Sequence, residues 1–157
     1  MQLYSPTPAF GGDTDNVDTE LQNELGTRAF DKDGNEYVYL TGVGSTVAGA
    51  WVTFDEAYLT TLIAANAVGP VAIAMAATIA STYGWYLVKG STAVAKSGDT
   101  IVDNAPLFID GAGVVSDDLV AGDLVIGAVA RSARSGAGSF TAQISYPVVT
   151  DVVPDGT

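Results

Sequence analysis

Cysteine and histidine are both missing from this chain of 157 residues. Their absence excludes disulfides, thiolate metal sites and thiol nucleophiles, together with the most common general base of enzymes. Hydroxyls, lysines and carboxylates remain, but the acid pairs Asp55-Glu56 and Asp117-Asp118 are adequately explained by a helix start and a turn. We therefore predict a protein that is not an enzyme and that holds no cofactor and no metal.

Basic residues are also scarce, because six lysines and arginines stand against eighteen acids and leave a net charge of −12. Binding to nucleic acid needs clustered positive charge. The six bases are instead scattered along the chain: Arg28, Lys32, Lys89, Lys96, Arg131 and Arg134. We predict no nucleic-acid partner, and an acidic surface that favours solubility and opposes non-specific association.

Charge is absent from residues 57–88. A membrane-spanning helix needs about 20 continuous apolar residues, whereas Thr60, Thr61 and Asn66 interrupt this stretch and Gly69-Pro70 breaks it. Much of its apolar content is alanine. The stretch is therefore interpreted as the core of a soluble domain, and no membrane partner is predicted.

Glycine and short apolar runs are abundant, with 18 glycines and 48% hydrophobic residues but only 15% charged ones. Large residues alternate with alanine in Val71–Ala76, and Tyr37 and Tyr39 fall on one face of another run. Alternation of this kind, bounded by Gly and Asp turns, is typical of strands. The sequence predicts a mainly β protein, built as a small β-barrel or sandwich.

One short α-helix is predicted at about residues 54–66. Thr53 can cap its N-terminus, with Glu56 as the capping-box partner, and Gly69-Pro70 ends it. An apolar stripe at helical spacing supports the prediction: Tyr58, Leu59, Leu62 and Ile63.

The chain divides by composition into three parts. Residues 1–27 are acidic and predict an extended N-terminal arm that orders against something else; Leu3, Tyr4 and Phe10 are its candidate anchors on a neighbour. Residues 28–150 form the compact β-rich domain, and residues 151–157 form a C-terminal tail. A frayed terminus is the alternative for residues 1–27.

Three further residues are candidates for protein contacts. Trp85 is a large aromatic of the kind that dominates interfaces, although core packing explains it equally well. Arg131 and Arg134 flank a glycine-rich loop and could pair with acids on another copy.

The Asp31-Asp33-Asn35 spacing is similar to the start of a calcium loop, but Glu36 and Gly42 stand where such a loop needs Gly and Glu.

The order of turns and strands between Tyr83 and Tyr146 resembles the head decoration, or cement, proteins of tailed bacteriophages. The similarity rests on four motifs: Leu87-Val88-Lys89-Gly90, Ala93-Val94-Ala95-Lys96, the run Pro106–Val114, and Ala121-Gly122-Asp123 with the strand to Ala130. The front half from Gly26 to Tyr86, with Gly-Thr-Arg-Ala-Phe-Asp at residues 26–31, is similar to a virion protein of the same kind.

This resemblance implies a compact β-rich subunit, commonly a homotrimer, made in the host cytoplasm and located on the capsid exterior of the virion. Its partner would be the major capsid protein lattice, onto which a terminal arm reaches. Two other hypotheses remain open. One is another virion component, such as a tail-tube or head–tail joining protein, and the other is a secreted carbohydrate- or calcium-binding module.

Overall fold

The structure is a computed structural model, and it describes residues 2–4 and 11–153. These residues form strands and no helix, which confirms the mainly β prediction. In chain order the strands are β1 (Gln2–Tyr4), β2 (Gly11–Asp13), β3 (Val17–Asp18), β4 (Arg28–Asp31), β5 (Glu36–Thr41), β6 (Trp51–Phe54), β7 (Thr60–Leu62), β8 (Gly69–Ala74), β9 (Tyr83–Ser97), β10 (Pro106–Gly111), β11 (Val114–Ser116), β12 (Leu124–Ala130) and β13 (Gly138–Val149).

Five of these strands close into a barrel. Strand β9 pairs with β13, β13 with β12, β12 with β10 and β10 with β11, all antiparallel. The ring closes where Val115 of β11 pairs in parallel with Ser97 of β9. Closure leaves no free edge within the barrel, so the alternative of an open sandwich does not apply.

The remaining strands form an outer sheet that shares β9 with the barrel. The first half of β9 pairs with β5, from Thr41↔Tyr83 to Glu36↔Lys89, and the second half pairs with β13. On the other side of its first half, β9 pairs with β8, which continues the sheet to β6 and β7. One continuous strand of 15 residues therefore belongs to both layers.

Strands β5 and β8 of the outer sheet are buried on both faces, because two apolar clusters lie on opposite sides of them. In β5, Tyr37 and Tyr39 belong to the larger cluster, which also fills the barrel, and the alternate residues Val38 and Leu40 belong to a smaller cluster. In β8, Val71 and Ile73 face the larger cluster and the alanines face the smaller one. The predicted alternation in both strands is confirmed.

Burial on both faces explains the lack of charge at residues 71–74 and 84–88, whereas other residues of the charge-free stretch, among them 64–66 and 79–81, are exposed. Residues 57–88 supply β7, β8 and the start of β9, and a charged side chain on either face would have to be desolvated. Within the described residues, no helix has the length and apolar character that a membrane crossing requires.

The predicted helix at about residues 54–66 is wrong, because this segment is a β-hairpin made of β6 and β7. The carboxylate of Asp55 accepts hydrogen bonds from the backbone N–H groups of Ala57 and Leu59, at 2.9 and 3.0 Å. Tyr58 has a φ of +62°, which a helix cannot accommodate. Leu62 and Ile63 then pack on opposite clusters, as strand neighbours do.

The N-terminal segment pairs with the outer sheet. Strand β1 pairs with both β2 and β4, and Val17 of β3 pairs with Gly84 of β9. The hydroxyl of Tyr39 also donates a hydrogen bond to the Asp18 carboxylate at 2.6 Å. Strands β1, β2 and β3, which fall in the predicted arm 1–27, therefore belong to the same sheet as β4, the first strand of the predicted domain 28–150.

A bend in the paired strands β12 and β13 lets β13 belong to both the barrel and the outer sheet. Tyr146 has a φ of +46°, and beyond it Val148 of β13 pairs with Pro70 of β8. Opposite this bend, Gly127 has a φ of +87°, and a Cβ there would lie 2.9 Å from the carbonyl oxygen of Ser145. The bend therefore requires glycine at position 127.

Gly42 provides a test of this packing. A Cβ at residue 42 would collide with the backbone carbonyl oxygens of Thr78 and Ile79, whereas a Cβ at Gly44 would meet nothing within 4 Å. We expect Gly42→Ala to lower the free energy of unfolding by about 1–3 kcal/mol, as overpacking does. Urea denaturation measures the loss. Gly44→Ala is the matched control and is expected to change stability by less than about 0.5 kcal/mol; equal losses would contradict the packing described for Gly42.

Candidate functional site

Trp85, one of the predicted contact residues, lies in the core. Its side chain is only 2% exposed and belongs to the larger apolar cluster. Its ring lies 5.1 Å from that of Tyr39, centroid to centroid. The contact role predicted for Trp85 does not fit this position, because a buried ring cannot touch a partner without unfolding of the sheet.

Arg131 lies at the end of the barrel and is exposed. Its guanidinium donates hydrogen bonds to the side-chain oxygens of Asn104, at 2.6 Å, and Gln143, at 2.8 Å. These bonds hold the side chain between the loop of Asn104 and strand β13, and they leave its positive charge uncompensated. The position agrees with the predicted role in binding an acid on another molecule, which stays a prediction.

Arg134 has a more local role. Its guanidinium donates to the backbone carbonyl oxygens of Gly136, at 3.4 Å, and Ala137, at 2.9 Å. A Cβ at Gly138 would collide with the same guanidinium. Arg134 therefore holds the glycine-rich loop in shape, and this use competes with the predicted contact to a second copy.

The anchors predicted near the N-terminus are placed only in part. Leu3 and Tyr4 belong to β1, where Leu3 pairs with Asp31 and Tyr4 pairs with Phe30 of β4. Phe10 lies outside the described residues. The backbone of β1 thus lies beside β4, and the contact role of these residues stays a prediction.

Asp31, the first residue of the calcium-like spacing, is a buried hub of hydrogen bonds. Oδ1 accepts the backbone N–H groups of Asp33 and Asn35, at 2.8 and 3.0 Å. Oδ2 accepts the Asn35 amide at 2.7 Å and the Tyr37 hydroxyl at 2.8 Å. Four donors occupy the roughly four acceptor positions of a carboxylate, so this group stabilises the β4–β5 turn.

The same network shifts the acidity of its members. Burial raises the pKa of Asp31, but the hydrogen bonds from Asn35, Tyr37 and Asp33 outweigh it, and the pKa lies below its usual value of 3.8. Burial, followed by the hydrogen bond to Asp31, raises the pKa of Tyr37 above its usual range. Asp31 therefore stays charged and Tyr37 stays neutral at physiological pH.

A polar cluster joins strands β4 and β5 to the last strand, β13. Arg28 and Glu36 form an ion pair at 3.5 Å, and Glu36 accepts a hydrogen bond from the hydroxyl of Tyr146. The Lys89 ammonium lies 5.8 Å from the Tyr146 ring centroid. The hydrogen bond to Glu36 raises the pKa of Tyr146. These contacts hold the bend of β13 against the β4–β5 hairpin.

The most distinctive surface feature is an apolar groove, none of whose residues was among the contact residues predicted from the sequence. We define it by Phe108 of β10, Leu124 and Ile126 of β12, the loop residues 119–122, and Thr150 and Val152 after β13. Its volume is 520 Å³, and no ionisable side chain lines it. On its rim Leu119 is 80% exposed, the highest value among the described large hydrophobic residues.

The loop that borders this groove is rigidly held. Asp123 is buried and accepts the backbone N–H of Asn66 at 2.9 Å, while its own backbone oxygen accepts the N–H of Ile109 at 3.0 Å. Gly122 has a φ of +86°, and a Cβ there would lie 3.0 Å from the Asp151 carboxylate. The 120–123 turn and the chain after β13 therefore shape the groove.

A second, more open groove of 580 Å³ lies beside the β6–β7 hairpin and includes Asp55, Glu56 and Val68. The Asp55 carboxylate is already used to hold its turn. Among the described residues, no group of three acids could hold a metal ion.

Asp31→Asn tests the hub. The amide would place an N–H group against donors of Asn35 and Tyr37, and we expect a loss of about 1–3 kcal/mol in the free energy of unfolding at pH 7. Because the folded-state pKa of Asp31 lies below 3.8, its contribution is present above about pH 4 and disappears as the pH falls through the folded value. The difference between the two proteins should therefore shrink on acidification.

Urea unfolding at a series of pH values measures this difference. The control is Asp33→Asn, because Asp33 is exposed in the same turn and its replacement should change stability by less than about 0.5 kcal/mol. A pH-independent loss in Asp31→Asn would show that the carboxylate charge is not what stabilises the turn.

Comparison with known proteins adds no relative to this picture. No family model matches the chain, and no curated protein and no solved structure matches it.

Proposed function

We propose that this protein is a structural subunit of a phage virion, a decoration or cement protein that binds the outer surface of the capsid. The observation that carries the proposal is the coincidence of the resemblance with the barrel. Residues 83–146, which resemble decoration proteins, supply β9 to β12 and most of β13. This part of the chain contains the five strands that pair into the closed barrel.

The surface of the molecule supports a binding role. Among the described residues no group of acids could hold a metal ion, and the lining of the apolar groove is uncharged. In the described part of the chain, β2 and β7 stand at the two ends of the strand order. Such strands can pair with a strand of a neighbouring protein, which is a contact that a regular lattice repeats many times.

A cement protein stabilises a shell by mass action, because it binds the assembled lattice and not the separated subunits. Symmetry multiplies each contact, so modest individual affinities are sufficient. No deep pocket, metal or reactive side chain is needed for this function. The partner is the major capsid protein lattice, and the location is the capsid exterior of the virion.

The decisive experiment uses phage heads from the cells that make this protein. We expect the purified protein to cosediment with assembled heads but not with dissociated capsid subunits. At a free concentration about 100 times the dissociation constant, each bound site should gain about 2.7 kcal/mol. Heads with added protein should therefore melt at a higher temperature than heads alone.

Electron cryo-microscopy of the same heads provides the second readout, in which the protein should appear as regular knobs on the outer surface. Failure to cosediment, or density confined to a tail or a head–tail joint, would overturn the proposal. Formation of stacked rings or tubes by the isolated protein would favour a tail-tube subunit instead.

A further inference from the structure

We propose that the apolar groove binds a segment of a different protein in which apolar side chains are flanked by lysine or arginine. The apolar side chains of that segment occupy the groove, and its bases meet the carboxylates on the rim. This inference goes beyond the capsid proposal, because it identifies the chemistry of the bound segment whichever protein supplies it. A chain that binds such a segment but ignores phage heads would leave the inference standing and remove the capsid proposal.

The groove offers apolar surface that the described chain leaves uncovered. Leu119, Ile126 and Val152 line it and are 80%, 47% and 66% exposed. Burial of such side chains is favourable at roughly 25 cal/mol per Å² of apolar area. The volume of 520 Å³ falls in the range of about 300–1,000 Å³ that is usual for binding pockets. The groove therefore has room for a few apolar side chains of a partner.

Charge determines which partner this surface attracts. Residues 97–130, which supply β10, β11 and most of the groove lining, contain six aspartates and no lysine or arginine. Along β12 the first base is Arg131, at the opposite end of the strand from Leu124 and thus roughly 20 Å away. The whole chain carries a net charge of −12. An acidic partner is therefore repelled, and a basic one is attracted.

Two carboxylates beside the groove are available to a basic partner. Asp118 precedes Leu119 and Asp151 precedes Val152, and both aspartates are exposed. Within residues 2–4 and 11–153, the one ion pair joins Arg28 to Glu36, so neither aspartate is paired with a base. An apolar recess and unpaired acids thus lie side by side. This arrangement complements a segment that is apolar at its centre and basic at its ends.

The groove beside the β6–β7 hairpin fits this partner less well. Thr53 and Thr61 interrupt its apolar lining. Its Asp55 carboxylate already accepts the backbone N–H groups of its own turn. This second groove therefore serves as the comparison surface in the test.

Isothermal titration calorimetry of the full chain with a synthetic peptide tests the proposal. The peptide has leucines at its centre and lysines at both ends; one control peptide has glutamates for the lysines, and the other has serines for the leucines. We expect a dissociation constant of about 10–100 μM for the first peptide and at least about tenfold weaker binding of both controls. Binding should weaken between about 0.05 and 0.5 M NaCl, because salt screens the charges. It should also show the negative heat-capacity change of apolar burial.

Leu119→Ser separates binding in the groove from a general attraction between opposite charges. It leaves the net charge unchanged and removes an apolar contact, so the dissociation constant should rise at least about fivefold. Val68→Ser is the matched control, because Val68 is a loop residue, is 68% exposed and lines the other groove. The control should change the dissociation constant by less than about twofold.

Asp118→Asn tests the acidic rim. Loss of one surface ion pair should weaken binding about two- to fivefold at low salt and have little effect at high salt. Asp33→Asn removes the same charge from an exposed position in the β4–β5 turn, away from the groove, and should leave the dissociation constant within about 1.5-fold of the original.

Three results would each overturn the proposal. The first is no binding of the lysine peptide up to about 1 mM, and the second is equal binding of the lysine and glutamate peptides. The third is an effect of Leu119→Ser no larger than that of Val68→Ser; a larger effect of Val68→Ser would assign the peptide to the groove beside the β6–β7 hairpin.

Discussion

Backbone pairing along both edges of β9 is the constraint on which the rest of the structure depends. This strand hydrogen-bonds to β5 and β8 in its first half, and to β13 in its second half. Every buried backbone group must find a partner, and a strand that serves two layers can satisfy this condition only if both layers are built around it. The uncharged sequence at residues 84–88, the double-sided burial of β5 and β8, and the bend at Tyr146 are all consequences of this arrangement.

The strands were predictable where their pattern reports a local property. Alternation in β5 and β8 follows from the two-residue repeat of a strand, and it assigns Tyr37 and Val71 to one cluster. Pairing is different, since it depends on contacts between residues distant in sequence. Nothing near Ser97 indicates that β11 will close the barrel beside it.

The failed helix has a specific chemical cause. An Asp whose side chain accepts nearby backbone N–H groups begins a helix in one setting and a tight turn in another. Asp55 does the second, and Thr60 and Thr61 then favour the extended conformation. The apolar groove had one signal in the sequence: Leu124-Val125-Ile126 has apolar residues on both faces of a strand, so that Val125 enters the core while Leu124 and Ile126 remain on the outer face. Trp85, for which both core packing and partner contact were open, lies in the core; an aromatic residue alone does not distinguish a core from an interface.

The way the barrel closes determines where it opens locally. Four of its five joints are antiparallel, and the fifth is a parallel contact recorded for only one residue pair, Val115 with Ser97. So short a parallel joint is the least cooperative part of the ring. Amide protons there are expected to exchange with solvent sooner than those along β9 and β13. Local opening of the barrel should therefore begin between β11 and β9.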